Sequence, residues 1–539
     1  MAYTASAVME CRASGSSNLN SGVFDSGVAN PGTDYTLQDA SQANGTNLVS
    51  ANGTNATPSV TSVTYTFTTA DEGNSIVISS GTNWTVSVFI ITDTSAGAAI
   101  LDKACGSTDI LASGTWRMGG AYPMGNTTSG ISDDTRFELL QAGNRVWVKS
   151  GTYTQGITVS VGTSAGTSTN PIIVEGYAST RGDAPNPFGA SPTAPVVNLG
   201  SLSFGVGAFY EVKHISFTTT SSNGVNASPT TTAAARFYKC KSLNTSTLAP
   251  RNAFLLSSSS TVFNQVTMCE AISQNGYGIY TQAGRGHQMY GNYAHDSGSG
   301  IVSAGAVTPV TMAFNLVTNN TTAAIEIASG ICRLYNNTLY GSEAKLGTGV
   351  SIAAALGPTL LFNNIIYGFV TGVSQATAQE RTNAGAYNDF YNNTDDATNY
   401  TLDATDLTVD PQFTAATQIT GTTATTSGSV LTQSGGDFST VTDNIDFLHV
   451  VSGTGVTVGN YLITGHTGTT LTVNNALGTS SGGDVVYFVP TGHNYSVGTN
   501  LKAAGFPGAF PGSDTTGYLD IGAVQRQESS SGGTRAYVG

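Results

Sequence analysis

Three acidic residues in the middle of the chain have types and spacings that acid–base catalysis could use: Asp296, Glu326 and Glu343. Hydrolysis of a glycosidic bond needs two carboxyl groups about 5–10 Å apart, and elimination needs an acid or base beside a cation. The repeat described below places the three acids in neighbouring repeats. We therefore interpret Glu326 with Asp296 or Glu343 as the candidate catalytic pair. Isolated carboxylates on a solvated surface are the alternative.

Aromatic and basic residues of the same region are candidates for binding a substrate. They are Tyr280, Tyr340, Tyr367, Arg285 and His295. Aromatic rings offer an apolar face with a polar edge, which suits the stacking of sugars. Arg285, with His287 close by in AGRGHQ, could neutralise developing charge in an elimination reaction. A solvated turn is the alternative for this pair.

The composition limits the partners and cofactors that we expect. Only 10% of the 539 residues are charged, and the formal net charge is −14, which argues against nucleic acid or an anionic membrane as a partner. The five cysteines have neither metal-site nor disulfide-framework spacing, so we predict no metal and no cofactor. We recognise neither a signal peptide nor an apolar run of about 18 residues, and we expect no membrane insertion.

A repeat of 22 to 27 residues organises the middle of the chain. One column of this repeat carries asparagine or cysteine, with His214 as a candidate for an earlier member. A second column carries β-branched aliphatic residues. The first column is Cys240, Cys269, Asn292, Asn315, Asn337, Asn364 and Asn388, and the second is Ile279, Ile301, Ile325, Val350 and Val373. Two columns that keep the same period make a coincidence improbable.

A period of this length, with short strands and no helical periodicity, predicts an all-β solenoid. Successive rungs lie about 4.8 Å apart, so equivalent inward residues stack on one another. We therefore predict that the first column is a ladder in which each Asn amide bonds its neighbours in the adjacent rungs. Strict alternation around Asn364 also places Phe362 in the core. Asparagine that merely marks turns is the alternative.

The position after the ladder residue is predicted to face outward, and so is the position two places further on. These rows contain Tyr293, Leu316, Ile365, Tyr340 and Tyr367. Exposed apolar and aromatic residues aligned on one face need a cover. We interpret the face as an interface between chains of a parallel trimer, or as a surface on which sugars stack. A segment of the same chain that folds over it is a further alternative.

Three motifs add a family resemblance to this pattern. The stretch GNRVWVKSGTYTQGITV (143–159) with PIIVEGY (171–177) is similar to the first coil of right-handed parallel β-helix proteins, the family of pectate lyases and phage tailspikes. The stretch DPQF (410–413) resembles the last coil. The resemblance implies a right-handed single-stranded parallel β-helix over residues 126–413. This fold carries lyases, hydrolases, adhesins and virion spikes alike, so it does not decide the function.

The flanks are predicted to contain small antiparallel β modules. Residues 67–94 align with residues 438–467, with Ser80-Gly81-Thr82 matching Ser452-Gly453-Thr454. We place an N-terminal module at 1–125, a small β module similar to residues 67–102 at 414–490, and a tail that returns to the end of the helix at 491–539. The opening segment and the tail resemble proteins encoded by tailed phages.

This second resemblance implies a virion surface protein, assembled in the host cytoplasm and acting outside the cell. We expect a homotrimeric tailspike that is a binder rather than an enzyme, with host surface polysaccharide as one partner. The N-terminal region is expected to attach to other virion proteins. A capsid decoration or fibre protein and a polysaccharide depolymerase, either lyase or glycoside hydrolase, are the alternatives. A bacterial adhesin is a weaker one.

Overall fold

The computed structural model is nearly all β, and the α-helix that it describes spans only Asp133–Phe137. The chain forms two compact units, one of residues 1–187, 192–218 and 227–240 and the other of residues 188–191, 219–226 and 241–539. The structure describes residues 3, 7–14, 16–17, 19–25, 42–125, 130–154, 158–161, 166–189, 192–198, 201–204, 209–221, 223–227, 234–246, 251–257, 264–284, 286–306, 309–353, 358–377, 384–414, 416–502, 504–505 and 520–524.

The first unit contains the opening rungs of a parallel β-helix built from three sheets. Its first sheet begins with the antiparallel pair Ala7–Cys11 and Val23–Asp25, and Ala7–Cys11 then pairs in parallel with Arg145–Lys149. The N-terminal strand is thus part of the helix, although the sequence placed it in the flanking module. The further strands are Ile172–Tyr177, Tyr210–Lys213 and Ala235–Tyr238 in the first sheet, Thr152–Thr154, Val196–Asn198 and Ser216–Thr219 in the second, and Thr158–Val161 and Ser201–Phe204 in the third.

The second unit contains the same three-sheet pattern. Its first sheet contains Gln265–Thr267, Gln288–Tyr290, Val310–Ala313, Cys332–Tyr335, Thr359–Phe362 and Ala384–Ala386. The second sheet contains Lys241–Asn244, Glu270–Ser273, Tyr293–His295, Leu316–Thr318, Thr338–Tyr340, Ile365–Tyr367 and Asp389–Tyr391. The third contains Val225–Ala227, Asn252–Ser257, Tyr277–Gly284, Ser299–Ala306, Ala323–Ile327, Thr348–Ile352, Thr371–Gln375 and Asp395–Thr398.

Each unit also contains one closed antiparallel barrel of six strands, and the two barrels share one strand order. The N-terminal barrel consists of Ala43–Ser50, Ser59–Ser62, Ser75–Ser80, Ser87–Ser95, Ala98–Leu101 and Leu111–Met118. The C-terminal barrel consists of Gln418–Ser427, Val430–Thr432, Phe447–Ser452, Gly459–His466, Thr470–Val473 and Ser480–Pro490. The predicted fold class, a parallel β-helix with small antiparallel modules in both flanks, is confirmed.

The asparagine column of the second unit is a continuous, fully buried ladder. Asn292, Asn315, Asn337 and Asn364 each donate an Nδ2 hydrogen bond of 2.9 Å to the Oδ1 of the next asparagine. The last of these acceptors, Asn388, donates in turn to Asp406. Each Oδ1 also accepts the backbone N–H of the preceding ladder residue, beginning at Cys269, and each Nδ2 donates to a backbone carbonyl as well. The turn between the first and second sheets is therefore held by buried amide side chains that are hydrogen-bonded through both their oxygen and their nitrogen.

The residue before each ladder position has a left-handed backbone, and this corrects two predictions. Asn336 and Asn363 adopt φ of 53° and 59°, a region that asparagine tolerates better than most residues. His214, at φ 54°, occupies this turn position, and buried Ile215 occupies the column instead. The left-handed residue also interrupts the alternation, so Leu361 is buried and Phe362 faces outward and is half-buried. The prediction that Phe362 fills the core is wrong.

Candidate functional site

The outward face of the third sheet in the second unit gathers two tyrosines and one of the predicted acids. Strand registers place Tyr280, Val302 and Glu326 in one line, followed by Ser351 and Ser374. Inward isoleucine and valine residues on either side of this line form the core column, and these fix which side chains point out. Tyr280 and Glu326 are half-buried and lie on a rigid sheet.

The tyrosine rings and the carboxylate form one cluster. The rings of Tyr277 and Tyr280 lie 5.1 Å apart at a tilt of 40°. Ser299, the strand partner of Tyr277, donates a 3.3 Å hydrogen bond to Glu326 Oε2. Burial raises the pKa of Tyr277, and the charge of nearby Glu326 raises it further. The cluster offers aromatic surface, a hydroxyl and a hydrogen-bond acceptor, which are groups that bind a sugar ring.

The three predicted acids contact different sets of residues. Asp296 is 4% exposed and is engaged by two histidines. Glu343 accepts hydrogen bonds from Tyr367 and from Asn392. Among the described residues, no hydrogen bond or shared partner joins any two of the three acids. Asp395, a further acid on the third sheet, lies three rungs from Glu326, about 14 Å along the axis.

Asp296 belongs to a buried network of five charged or titratable side chains. Lys241 Nζ lies 2.9 Å from Glu270 Oε1, and His295 Nε2 lies 3.3 Å from the same oxygen. His295 Nδ1 lies 2.6 Å from Asp296 Oδ2, while Nε2 of His449 lies 2.6 Å from Oδ1 of Asp296. The first four residues lie on or next to strands of the second sheet, and His449 lies in the C-terminal barrel. The network therefore fastens the barrel to the helix.

The charges of the network reinforce one another. Burial lowers the pKa of His295, but Asp296 and Glu270 more than compensate and raise it to about 9. Burial raises the pKa of Glu270, but Lys241 and His295 bring it down to about 2. Asp296 behaves likewise, because both histidines hold the pKa of its carboxyl well below the usual range. At neutral pH His295 is thus a cation and Glu270 and Asp296 are anions.

The attachment of the C-terminal barrel should weaken as the pH rises from about 6.5 to 9.5. The His295 pKa is higher in the folded protein than its ordinary value of 6.5, so its contribution is complete below 6.5 and is lost as the pH passes about 9. The expected loss is on the order of 2–3 kcal/mol. Urea unfolding measured at several pH values checks this, with His295→Gln as the control. A wild-type curve that stays as flat as the curve of this variant contradicts the prediction.

The predicted binding residues lie in different environments. Tyr280 belongs to the third-sheet cluster, whereas Tyr340, Tyr367 and His295 lie on the second sheet. Tyr340 is 4% exposed, because it stacks on Tyr367 and also packs against Tyr495. His295 is 6% exposed and stacks on Tyr293. Arg285 lies outside the described residues.

The outward face of the second sheet is covered by the same chain. The C-terminal tail places Val497, Leu501 and Ile521 against Ile365. Barrel residues Phe447 and Leu462 pack against Ile272. The sequence analysis interpreted the cover of this face as a second chain or a sugar. The structure instead contains the further alternative, a segment of the same chain. Parts of the predicted tail, 506–519 and 525–539, lie outside the described residues.

The sequence reasoning missed an aromatic row on the first sheet of the second unit. Strand registers align Tyr290, Ala313, Tyr335 and Phe362 on consecutive rungs. Arg333 is exposed on the adjacent outward row. The signal was present in the aromatic residue that precedes the Asn pair in YNN and FNN, but the sequence reasoning placed Phe362 of FNN in the core. Across the described residues, no three His, Cys, Asp or Glu side chains are grouped to hold a metal ion, and no helix is long and apolar enough to cross a membrane.

Comparison with known proteins supports the fold. Residues 223–395 match the family model described as the right handed beta helix region. The middle of this chain is a right-handed β-helix. No curated protein matches the sequence.

Solved structures that resemble the chain do so at low identity. A protein of Geobacillus virus E2 is 11% identical, with 67% of this chain and 72% of that chain covered and a TM-score of 0.30. Pectate lyase Pel9A is 10% identical, with 75% and 94% covered and a TM-score of 0.28. The tailspike of Acinetobacter baumannii bacteriophage AP22, solved with a capsular saccharide of A. baumannii, is 9% identical, with 84% of each chain covered and a TM-score of 0.20. The β-helix neighbours thus include a phage tailspike and a polysaccharide lyase, and at these scores they carry no argument about function.

Proposed function

We propose that the protein is a surface protein of a tailed-phage virion, a trimeric tailspike-like appendage that contacts host surface polysaccharide through its β-helix. The observation that carries the proposal is the outward cluster of Tyr277, Tyr280 and Glu326 on the third sheet. A sheet held by an internal ladder changes shape little when it binds, so its aromatic groups are preorganised. The resemblance of the opening segment and tail to tailed-phage proteins supports a place on the virion. The N-terminal region is the proposed attachment to the particle.

Binding without cleavage fits the cluster better than hydrolysis does. A glycosidase needs a second carboxyl group within about 10 Å of the first, and Asp395, the other described acid on the outward side of the third sheet in this unit, lies about 14 Å from Glu326 along the axis. Glu326 accepts a hydrogen bond from Ser299, which suits a group that orients a sugar hydroxyl. A depolymerase remains the second candidate because Glu326 and Tyr277 together could move a proton in an elimination reaction.

Labelling of purified particles tests the location. An antibody against this protein, detected by immunogold, is expected to mark the tail end of the virion. Label on the head favours the capsid decoration alternative, and particles without label overturn the virion proposal. The mass of the purified protein, measured by light scattering, tests the proposed trimer separately.

Incubation with the host polysaccharide tests binding against cleavage. In affinity electrophoresis, polysaccharide held in the gel is expected to slow the migration of the wild-type protein. The protein is expected to release neither reducing ends nor unsaturated sugars. Tyr280→Ala should weaken retention by up to about tenfold, since an aromatic stacking contact contributes about 0.5–1.5 kcal/mol. If the wild-type protein releases reducing ends or unsaturated sugars and the Glu326→Gln variant does not, the protein is a depolymerase instead.

A further inference from the structure

We propose that the first sheet of the second unit carries a second binding surface, for an acidic saccharide, with Arg333 receiving a sugar carboxylate and Tyr290 and Tyr335 receiving sugar rings. This inference rests on the proposed function, because it names a substrate class and a surface for contact with the host. The surface is distinct from the third-sheet cluster and from the covered second sheet.

The aromatic groups are spaced along the helix axis. Tyr290 and Tyr335 lie two rungs apart, with Ala313 between them, and Phe362 follows on the next rung. Ala313 is fully buried, and its small side chain lies between the larger side chains of Tyr290 and Tyr335. The Tyr335 and Phe362 rings lie 6.2 Å apart. The row from Tyr290 to Phe362 spans about 14 Å, which is enough for several linked sugars.

Arg333 makes this face cationic in a protein whose formal net charge is −14. The chain contains 33 acidic and 19 basic residues, yet the outward positions of the six strands of this sheet carry one cation and no carboxylate. Arg333 is exposed and makes no ion pair with any described residue. It lies near both rings, since burial raises the pKa of Tyr290 and of Tyr335 while the Arg333 charge opposes each rise.

These groups select an acidic saccharide by their chemistry. A guanidinium group matches a carboxylate with two parallel hydrogen bonds. The neighbouring tyrosines supply apolar faces for sugar rings and hydroxyls for sugar oxygens. The third-sheet face differs, because its outward positions include Glu326 and Asp395, which repel an anionic chain. A protein partner would be expected to need a larger apolar area than this row provides.

The test measures binding of two hexasaccharides of equal length by calorimetry with the full chain. Oligogalacturonate is the acidic probe and maltohexaose is the neutral probe. Wild-type protein should prefer the acidic probe, and the preference should fall with added salt. Arg333→Gln should lose roughly tenfold or more in affinity for the acidic probe, and Arg333→Lys should recover part of it. Lys502→Gln, which removes an exposed cation of the C-terminal tail, is the matched control and should change nothing.

Several results overturn this inference and leave the proposed function in place. Equal affinity for the two probes does so, as does an Arg333→Gln variant that binds like wild type. An affinity that falls in Tyr280→Ala but not in Tyr290→Ala assigns the binding to the third sheet. Particles labelled by immunogold, together with wild-type protein that binds neither probe, overturn the acidic-saccharide surface alone. Unlabelled particles with acidic-probe binding that depends on Arg333 overturn the virion proposal alone.

Discussion

Replacing Asn337 with alanine is expected to lower the free energy of unfolding by about 3–5 kcal/mol. Asn337 Oδ1 accepts hydrogen bonds from the backbone and side-chain nitrogens of Asn315, at 3.0 and 2.9 Å. Its Nδ2 donates to Met312 and to Asn364, both at 2.9 Å. All these groups are buried in the turn, and alanine removes the four hydrogen bonds at a place where water does not easily replace them. Urea unfolding followed by circular dichroism measures the loss.

An exposed asparagine outside the ladder provides the control for this prediction. Asn500 is exposed and makes a single long hydrogen bond of 3.4 Å, so Asn500→Ala should change stability by less than about 0.5 kcal/mol. Hydrogen exchange adds a second readout, because the rungs that contain Asn315 and Asn364 should exchange faster in Asn337→Ala. A loss below about 1 kcal/mol, or exchange that rises evenly over the whole chain, contradicts a ladder that stabilises the turn.

Replacing Asp296 with alanine is expected to detach the C-terminal barrel while leaving the barrel folded. Removal of one partner from a buried ion pair costs about 3–5 kcal/mol, because the other charge stays buried and unpaired. Here the protonated His295 and the Nε2–H of His449 both lose their acceptor. The barrel has a separate apolar core around Leu448 and Tyr487, which this substitution does not touch.

Hydrogen exchange and limited proteolysis check this prediction. The strand Phe447–Ser452 should exchange faster, and protease should cut the connections at about residues 414–417 and 491–494. Asp443→Ala is the matched control, because Asp443 pairs with His466 at 2.8 Å on the surface of the same barrel, where such pairs contribute about 0–1 kcal/mol. If the two variants exchange and digest alike, the buried network does not hold the barrel.

Comparison of the two barrels explains why this contact is polar. In the N-terminal barrel the paired residues Val77 and Val88 pack with Ile131 in an apolar cluster of the first unit. The equivalent paired residues of the C-terminal barrel are His449 and Asn460. They bond to Asp296 and to the carbonyl of Ser297. The same face of one module is thus apolar in one flank and titratable in the other.

The ladder and the core column could be predicted from the sequence because their cause is local and repeated. A two-residue turn with a left-handed first position and an inward Asn recurs every 22 to 27 residues. Because the strands pair in parallel register, the turns of successive rungs stack on one another. The same turn made the side of Phe362 unpredictable by alternation, because a left-handed residue between Phe362 and Asn364 removes the period of two. The two antiparallel modules were predictable from their internal similarity.

The candidate site was only partly predictable. Glu326 and Tyr280 share a line of the third sheet, which follows from the period alone. The surroundings of Asp296 do not follow from it, since His449 lies 153 residues away in the sequence. No local pattern indicates which outward face a later barrel or tail will cover.

The sequence by itself determined that this chain forms a parallel β-helix with an asparagine ladder, because stacking of equivalent rungs repeats one local turn many times. Only the tertiary structure decided which faces remain exposed. The second sheet is covered through contacts such as those of Ile365 with Ile521 and of Asn336 with Asp520, which join residues more than 150 positions apart. Such contacts depend on the path of the whole chain. The local sequence around each of these residues does not indicate which distant residue it will contact. The half-buried aromatic groups and the charged groups on the outward sides of the first and third sheets, on which the proposed binding surfaces depend, lie outside these contacts.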